Sequence, residues 1–155
     1  VTWEEADPYF ILTVWLPLAE ATEENGCLQI IPDINGKELL AHHSKAGMGT
    51  TIIDEEMPSQ PALTLPMQKG SILLLNKKIP HRSTSNNSDT VRWSVDLRYQ
   101  KTGTPTGRPF HPDFVAYSES NPTSVLNDYE TWRDSWIQAL EESTGIQAHR
   151  WATTQ

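Results

Sequence analysis

A single cysteine, Cys27, stands in the 155-residue chain, which excludes an internal disulfide and any multi-cysteine zinc site. The fold must stand on its core without covalent staples, and the expected compartment is a reducing one, the cytoplasm. Positive charge is also scarce: 12 Lys and Arg against 20 Asp and Glu give a formal net charge of -8 and a pI near 5.0. A surface of that sign is wrong for neutralising phosphates, which argues against nucleic acid and anionic membranes as partners. Long hydrophobic runs are missing too. The longest apolar stretch, Tyr9 to Ala19, is interrupted by Thr13 and Pro17 and falls short of the about 20 residues a membrane-crossing helix needs. With 37% hydrophobic residues and 6 Trp spread along the chain, a packed core is nevertheless expected, and the length predicts one domain over residues 1–155. The chain opens on Val1, with neither an initiating Met nor a charged leader, so it is expected to be the C-terminal part of a longer product.

The remaining pattern is that of a β protein. Phe10 to Leu18 has strand composition, with Ile11, Thr13 and Trp15 on one face and Leu12, Val14, Leu16 and Leu18 on the other. Asn25-Gly26 suits a turn with positive backbone dihedrals, after which Cys27 to Ile31 predicts a short strand. From Asp33 to Pro61 the pattern dissolves into turn residues around His42-His43, which predicts a long loop or lid. Ser71 to Leu75 and Val91 to Tyr99 predict further strands. In the last, Trp93, Val95, Leu97 and Tyr99 form an apolar face expected to pack, and Arg92, Ser94, Asp96 and Arg98 a polar face expected to be wet or functional. One helix is expected late, capped by Asn127 with Glu130, carrying Tyr129, Trp132, Trp136, Ile137 and Leu140 toward the core and ending at Gly145. Irregular strands without strand–helix alternation predict a mainly β sandwich or jelly roll with a C-terminal helix.

Of the five histidines, His81 stands apart, since it follows an apolar strand and Pro80 and opens a polar turn at a sheet rim. Arg92 lies eleven residues later on the polar face of the next strand, so a hairpin through Ser83 to Asp89 returns its guanidinium toward His81. A buried arginine needs a carboxylate, either Asp96 on the same face or that of a small molecule. His42-His43 read as an exposed loop pair, and Asp96 and Arg98 either meet a substrate or pair internally.

The run "TVWLPLAEATEENGCLQIIP", followed by "LPMQKGSILLLNKKIPHRSTSNNSDTVRWSVDLRY", resembles the phytanoyl-CoA dioxygenase family of non-haem iron, 2-oxoglutarate-dependent oxygenases. The likeness covers Phe10 to Tyr99, with a weaker match through "PTGRPFHPDFVA". It implies a double-stranded β-helix, a cupin-like jelly roll. It also implies that His81 is the distal ligand of Fe(II), that Arg92 pairs with the far carboxylate of 2-oxoglutarate, and that Ser83 and Trp15 line the co-substrate. Two imidazoles and one carboxylate bind one face of such an iron, leaving positions for a chelating 2-oxo acid and O2. The family's first two ligands, His-x-Asp, are then expected a few residues upstream of Val1. His111-Pro112-Asp113, the one such triplet inside the chain, lies in a proline-rich loop after His81 and is set aside. Asp33-Ile34-Asn35 departs from the Gly-Ser-His common in the family. The function so implied is oxidation, by hydroxylation or a related step, of a small organic substrate with O2. Two alternatives remain: a jelly-roll binding module without catalysis, and a noncatalytic relative that keeps the 2-oxoglutarate pocket as a sensor.

Overall fold

Seven-residue alternation in Ile11–Pro17 builds the central strand of the molecule: Ile11, Thr13, Trp15 and Pro17 are buried, and the residues between them are half-buried. The structure, a computed structural model, describes residues 4–32, 39–45, 49–108 and 110–144. These fall into two compact units, one within residues 10–101 and the other made of residues 4–9 with 102–144.

In the first unit, the strands in chain order are β1 (Ile11–Pro17), β2 (Leu28–Ile30), β3 (His42–Lys45), β4 (Gly49–Ile52), β5 (Leu63–Leu65), β6 (Leu73–Asn76), β7 (His81–Ser83) and β8 (Ser94–Gln100). They form one antiparallel sheet in the order β6-β1-β8, a second in the order β5-β2-β7, and a β3–β4 hairpin. From β5 onward the chain alternates between the two larger sheets, the connectivity of a jelly roll. Trp15 of β1 and Leu28 of β2 meet Ala21 and Cys27 in one buried cluster, with Met67 and Leu73 packed against it, so the core lies between the sheets. Cys27 is buried and free, as a small apolar residue would be.

Three expectations need correction. The span from Asp33 to Pro61, read as a structureless loop, carries the β3–β4 hairpin, with His43 paired in register with Thr51 and His42 with Ile52. Four-residue strands rich in Gly, Ser and Thr leave too short a period to stand out. His81 does not open a turn but starts β7, which pairs with β2 through Ile30. Finally, the apolar face of β8 does not pack as expected, while the polar face is wet, with the Asp96 and Arg98 side chains 46% and 50% exposed. Register places Asp96 opposite the buried Trp15 and Arg98 opposite the buried Thr13, whereas Leu97 and Tyr99 remain 39% and 45% exposed and the preceding Trp93 67%. Cross-strand partners share a face, so β1 decided which side of β8 looks inward.

In the second unit, α1 (Tyr129–Glu142) starts one residue later than the expected cap at Asn127: the carboxylate of Asp128 accepts from the backbone N–H of Thr131 at 2.7 Å. That N-cap to N3 spacing and the favourable charge at a helix N-terminus select Asp128 over the amide before it. Trp132 and Trp136 stack along the helix at 6.4 Å, and Trp136 also meets His111 at 5.3 Å. The stripe expected to face the core stays open, with Tyr129 at 66% and Leu140 at 70% exposure, because helical periodicity marks an apolar face without supplying what covers it. The expected stop at Gly145, the triplet at Asp33-Ile34-Asn35 and His149 lie outside the described residues.

Accepting from the Thr131 hydroxyl first and its backbone N–H second holds the Asp128 carboxyl below its ordinary value. A lowered carboxyl contributes to stability above the unfolded value, and the contribution is lost as pH falls through the lowered one. The amide resonance of Thr131 is therefore expected to titrate below the ordinary aspartate range, and to lose that titration in Asp128→Asn while α1 keeps its helical signature; a midpoint at the ordinary value would remove the cap from the account.

Candidate functional site

The turn before β2 is tied on all sides. Thr22 and Asn25 exchange side-chain to backbone hydrogen bonds at 2.8 and 3.2 Å, and the Asn25 amide donates to Glu20 O at 2.9 Å. Thr84, just after β7, donates its N–H to Cys27 O at 2.9 Å, and Asn87 donates to Glu24 O at 2.8 Å. Gly26 sits at the closest approach, with φ of 91°, and a Cβ there would lie 2.9 Å from Thr84 O. Only glycine suits both the dihedral and the approach. Its carbonyl is thereby aimed at the segment entering β8.

Arg92 receives it. Its Nε donates to Gly26 O at 2.7 Å, one terminal nitrogen to the Ser94 hydroxyl at 2.9 Å and the other to the Ser83 hydroxyl at 3.0 Å. The guanidinium carbon stands 5.3 Å from the Trp15 ring centroid, in cation–π range. All three acceptors are neutral. The carboxylate that the sequence offered as partner, Asp96, pairs instead with Arg98. Of the five N–H donors of an arginine, three are committed to orienting it, and among the described residues no carboxylate compensates its charge. Such a group is built to receive an anion with the geometry of a carboxylate.

His81 lies on the same face of β7 as Ser83, two residues before it. Its Nδ1 lies 2.9 Å from Ile79 O, and a carbonyl only accepts, so in the neutral ring Nδ1 carries the proton and Nε2 presents a lone pair. That is the tautomer a metal-ligating imidazole needs, with its second nitrogen oriented by a backbone carbonyl. Among the described residues, however, no group of three His, Cys, Asp or Glu is placed to hold a metal. His81 therefore fits one corner of an Fe(II) site, and the described residues do not complete it.

The structure thus brings Trp15, Ser83 and Arg92 into direct contact and sets His81 one strand position pair away. Two participants were missed. Ser94 was visible as the next residue on the Arg92 face, and its hydroxyl was the signal; the Gly26 carbonyl carried no side-chain signal. His42 and His43 lie on β3, not in a loop, and the buried Nε2 of His43 has no hydrogen-bond partner. His111 belongs to the aromatic contacts of the second unit, where burial first and the Arg108 charge second lower its pKa.

Two facing antiparallel sheets with a clamped arginine at one end define a cupin-like jelly roll. Comparison with known proteins agrees with that class: the family profile of phytanoyl-CoA dioxygenase (PhyH) matches residues 2–94, and the chain belongs to this family. Phytanoyl-CoA dioxygenase domain-containing protein 1 of Mus musculus is 30% identical over 88 residues, covering 53% of this chain and 30% of that protein. The homologue of Caenorhabditis elegans is 31% identical over 109 residues, covering 62% and 37%. The chain thus spans about a third of the length of these relatives. A crystal structure of EvdO2 from Micromonospora carbonacea var. aurantiaca complexed with 2-oxoglutarate superposes with a TM-score of 0.47 at 23% identity, over 68% of this chain and 48% of that one.

Replacing Gly26 by Ala is expected to lower stability by about 1–3 kcal/mol, through a strained dihedral and a backbone clash. It should also shift the Trp15 indole resonance as the Arg92 clamp loses its carbonyl. Urea unfolding with parallel NMR checks both, and an unchanged midpoint and indole signal would show that the turn yields freely.

Proposed function

We propose that this chain carries the 2-oxoglutarate-binding and distal metal-binding part of a single-domain Fe(II)- and 2-oxoglutarate-dependent oxygenase. The observation that carries this is the Arg92 guanidinium, held by Gly26, Ser83 and Ser94 and stacked on Trp15, with charge to spare and no carboxylate of the described chain on it. Membership of the phytanoyl-CoA dioxygenase family supports 2-oxoglutarate as the acid concerned. Arg92 takes the far carboxylate through paired hydrogen bonds, the Ser83 hydroxyl and the Trp15 ring border the carbon chain, and His81 offers Nε2 to the metal. The reaction of this class joins one oxygen atom of O2 to a small organic substrate and the other to 2-oxoglutarate, which leaves as succinate and CO2. The protein's own part is to orient the two small molecules and to keep water from the reacting atoms.

Arg92→Ala is expected to weaken 2-oxoglutarate binding by about 2–5 kcal/mol, roughly 30-fold or more, since it strands the ligand's carboxylate among partly desolvated groups. The Trp15 indole resonance followed during titration with 2-oxoglutarate measures this even at millimolar affinity. Undiminished affinity in the variant would overturn the pocket. Anaerobic addition of Fe(II) to the 2-oxoglutarate-saturated full-length protein is expected to yield a visible charge-transfer band that His81→Ala abolishes; 2-oxoglutarate binding without retained iron in that protein would instead favour the binding module or sensor.

A further inference from the structure

The inner face of β8 is polar where a sandwich should be apolar. Asp96 opposes Trp15 and Arg98 opposes Thr13 across β1, and those partners are only 5% and 4% exposed, while Leu97 and Tyr99 point to the other side. An ordinary surface ion pair stands on the outer face, is solvated and contributes little. This one looks inward. Charges persist there only where water or a ligand reaches them, and the side chains of Arg98 and Asp96 retain 50% and 46% exposure, so both are open to a ligand from solvent.

The pair lies on the strand that leaves the Arg92 clamp. β7 runs from His81 through Ser83 into the turn that returns as β8, so the clamp residues Ser83 and Ser94 sit nearest the turn. His81 on one sheet and the Asp96–Arg98 pair on the other both lie on the side away from it. Arg98 is about 20 Å of strand beyond Arg92, which leaves room for a second small molecule past the one Arg92 holds. The pair joins one Arg98 nitrogen to Asp96 Oδ1. It leaves Asp96 Oδ2 and the rest of the guanidinium edge to a ligand, a positive and a negative site side by side. Their complement is a ligand with the same two charges equally close.

We infer that the Asp96–Arg98 pair positions the substrate of the oxygenase reading above, and that the substrate is a small zwitterion whose carboxylate meets Arg98 and whose adjacent ammonium meets Asp96, as in a free α-amino acid. The inference rests on that reading for the identity of the neighbouring ligand. The test saturates the chain with 2-oxoglutarate and titrates the free α-amino acids, each beside its amide and its deaminated acid, following the Arg98 Nε–H resonance and binding heat. At least one amino acid is expected to bind tenfold or more tightly than both counterparts. The preference should vanish in Asp96→Asn/Arg98→Gln, exposed charge-removing changes whose fold circular dichroism verifies, with 2-oxoglutarate affinity within twofold of the parent. No amino acid bound better than its counterparts, or a preference that survives the double change, overturns the inference. So does a variant that loses 2-oxoglutarate affinity, since Arg98 would then serve the co-substrate. Failure of the parent chain to bind 2-oxoglutarate overturns the oxygenase reading itself, and amino-acid binding in its absence still reports on the pair.

Discussion

A guanidinium that spends three of its N–H groups on neutral oxygens is fixed in space yet keeps its whole charge, and in this chain that arginine ties together four separate pieces of the fold. Through Gly26 it holds the turn before β2, through Ser83 the end of β7, through Ser94 the start of β8, and through the Trp15 ring the central strand β1. The same contacts that close one end of the sandwich leave the guanidinium there without a carboxylate among the described residues, which is why we propose the co-substrate's carboxylate at that point. Structure and site are one set of hydrogen bonds, so the close approach that demands glycine at position 26 is a condition for both.

Charge placement follows from β1. Because its inward residues are Ile11, Thr13, Trp15 and Pro17, the strand paired with it must turn Ser94, Asp96 and Arg98 to the same side and Leu97 and Tyr99 outward. Polar groups therefore run along the inner face of β8 from the clamp outward, while the opposite sheet brings His81 and Ser83 to its own inner face beside Leu28 and Ile30. On the far side of that sheet, Arg82 donates to Gln29, which donates to Thr64, so its polar residues are satisfied among themselves and leave the inner ones for ligands.

Much of this was legible beforehand for physical reasons. Strand composition located β1, β2, β6 and β8 to within a few residues, because alternation and β-branched content survive without knowledge of partners. The hairpin expected to join His81 and Arg92 does not form: β7 pairs with β2 and β8 with β1, so the chain crosses between sheets and it is the Arg92 hydrogen bonds to Ser83 and Gly26 that tie the two segments together. The short strands β3, β4, β5 and β7 were not legible, as they lack the longer apolar run around them that marked β2 and β6, and neither was a backbone carbonyl as a ligand of Arg92.

By itself, the sequence determined the mainly β class, the acidic unstapled character, the family and the residue types at the arginine clamp, all of which are local composition and spacing. Tertiary structure alone decided which face of β8 looks inward, that Asp96 pairs with Arg98 and leaves Arg92 without a carboxylate, and that Asp128 rather than Asn127 caps α1. A strand's two faces are equivalent until a neighbour's register breaks the tie, and an ion pair forms between the groups that the register brings within reach.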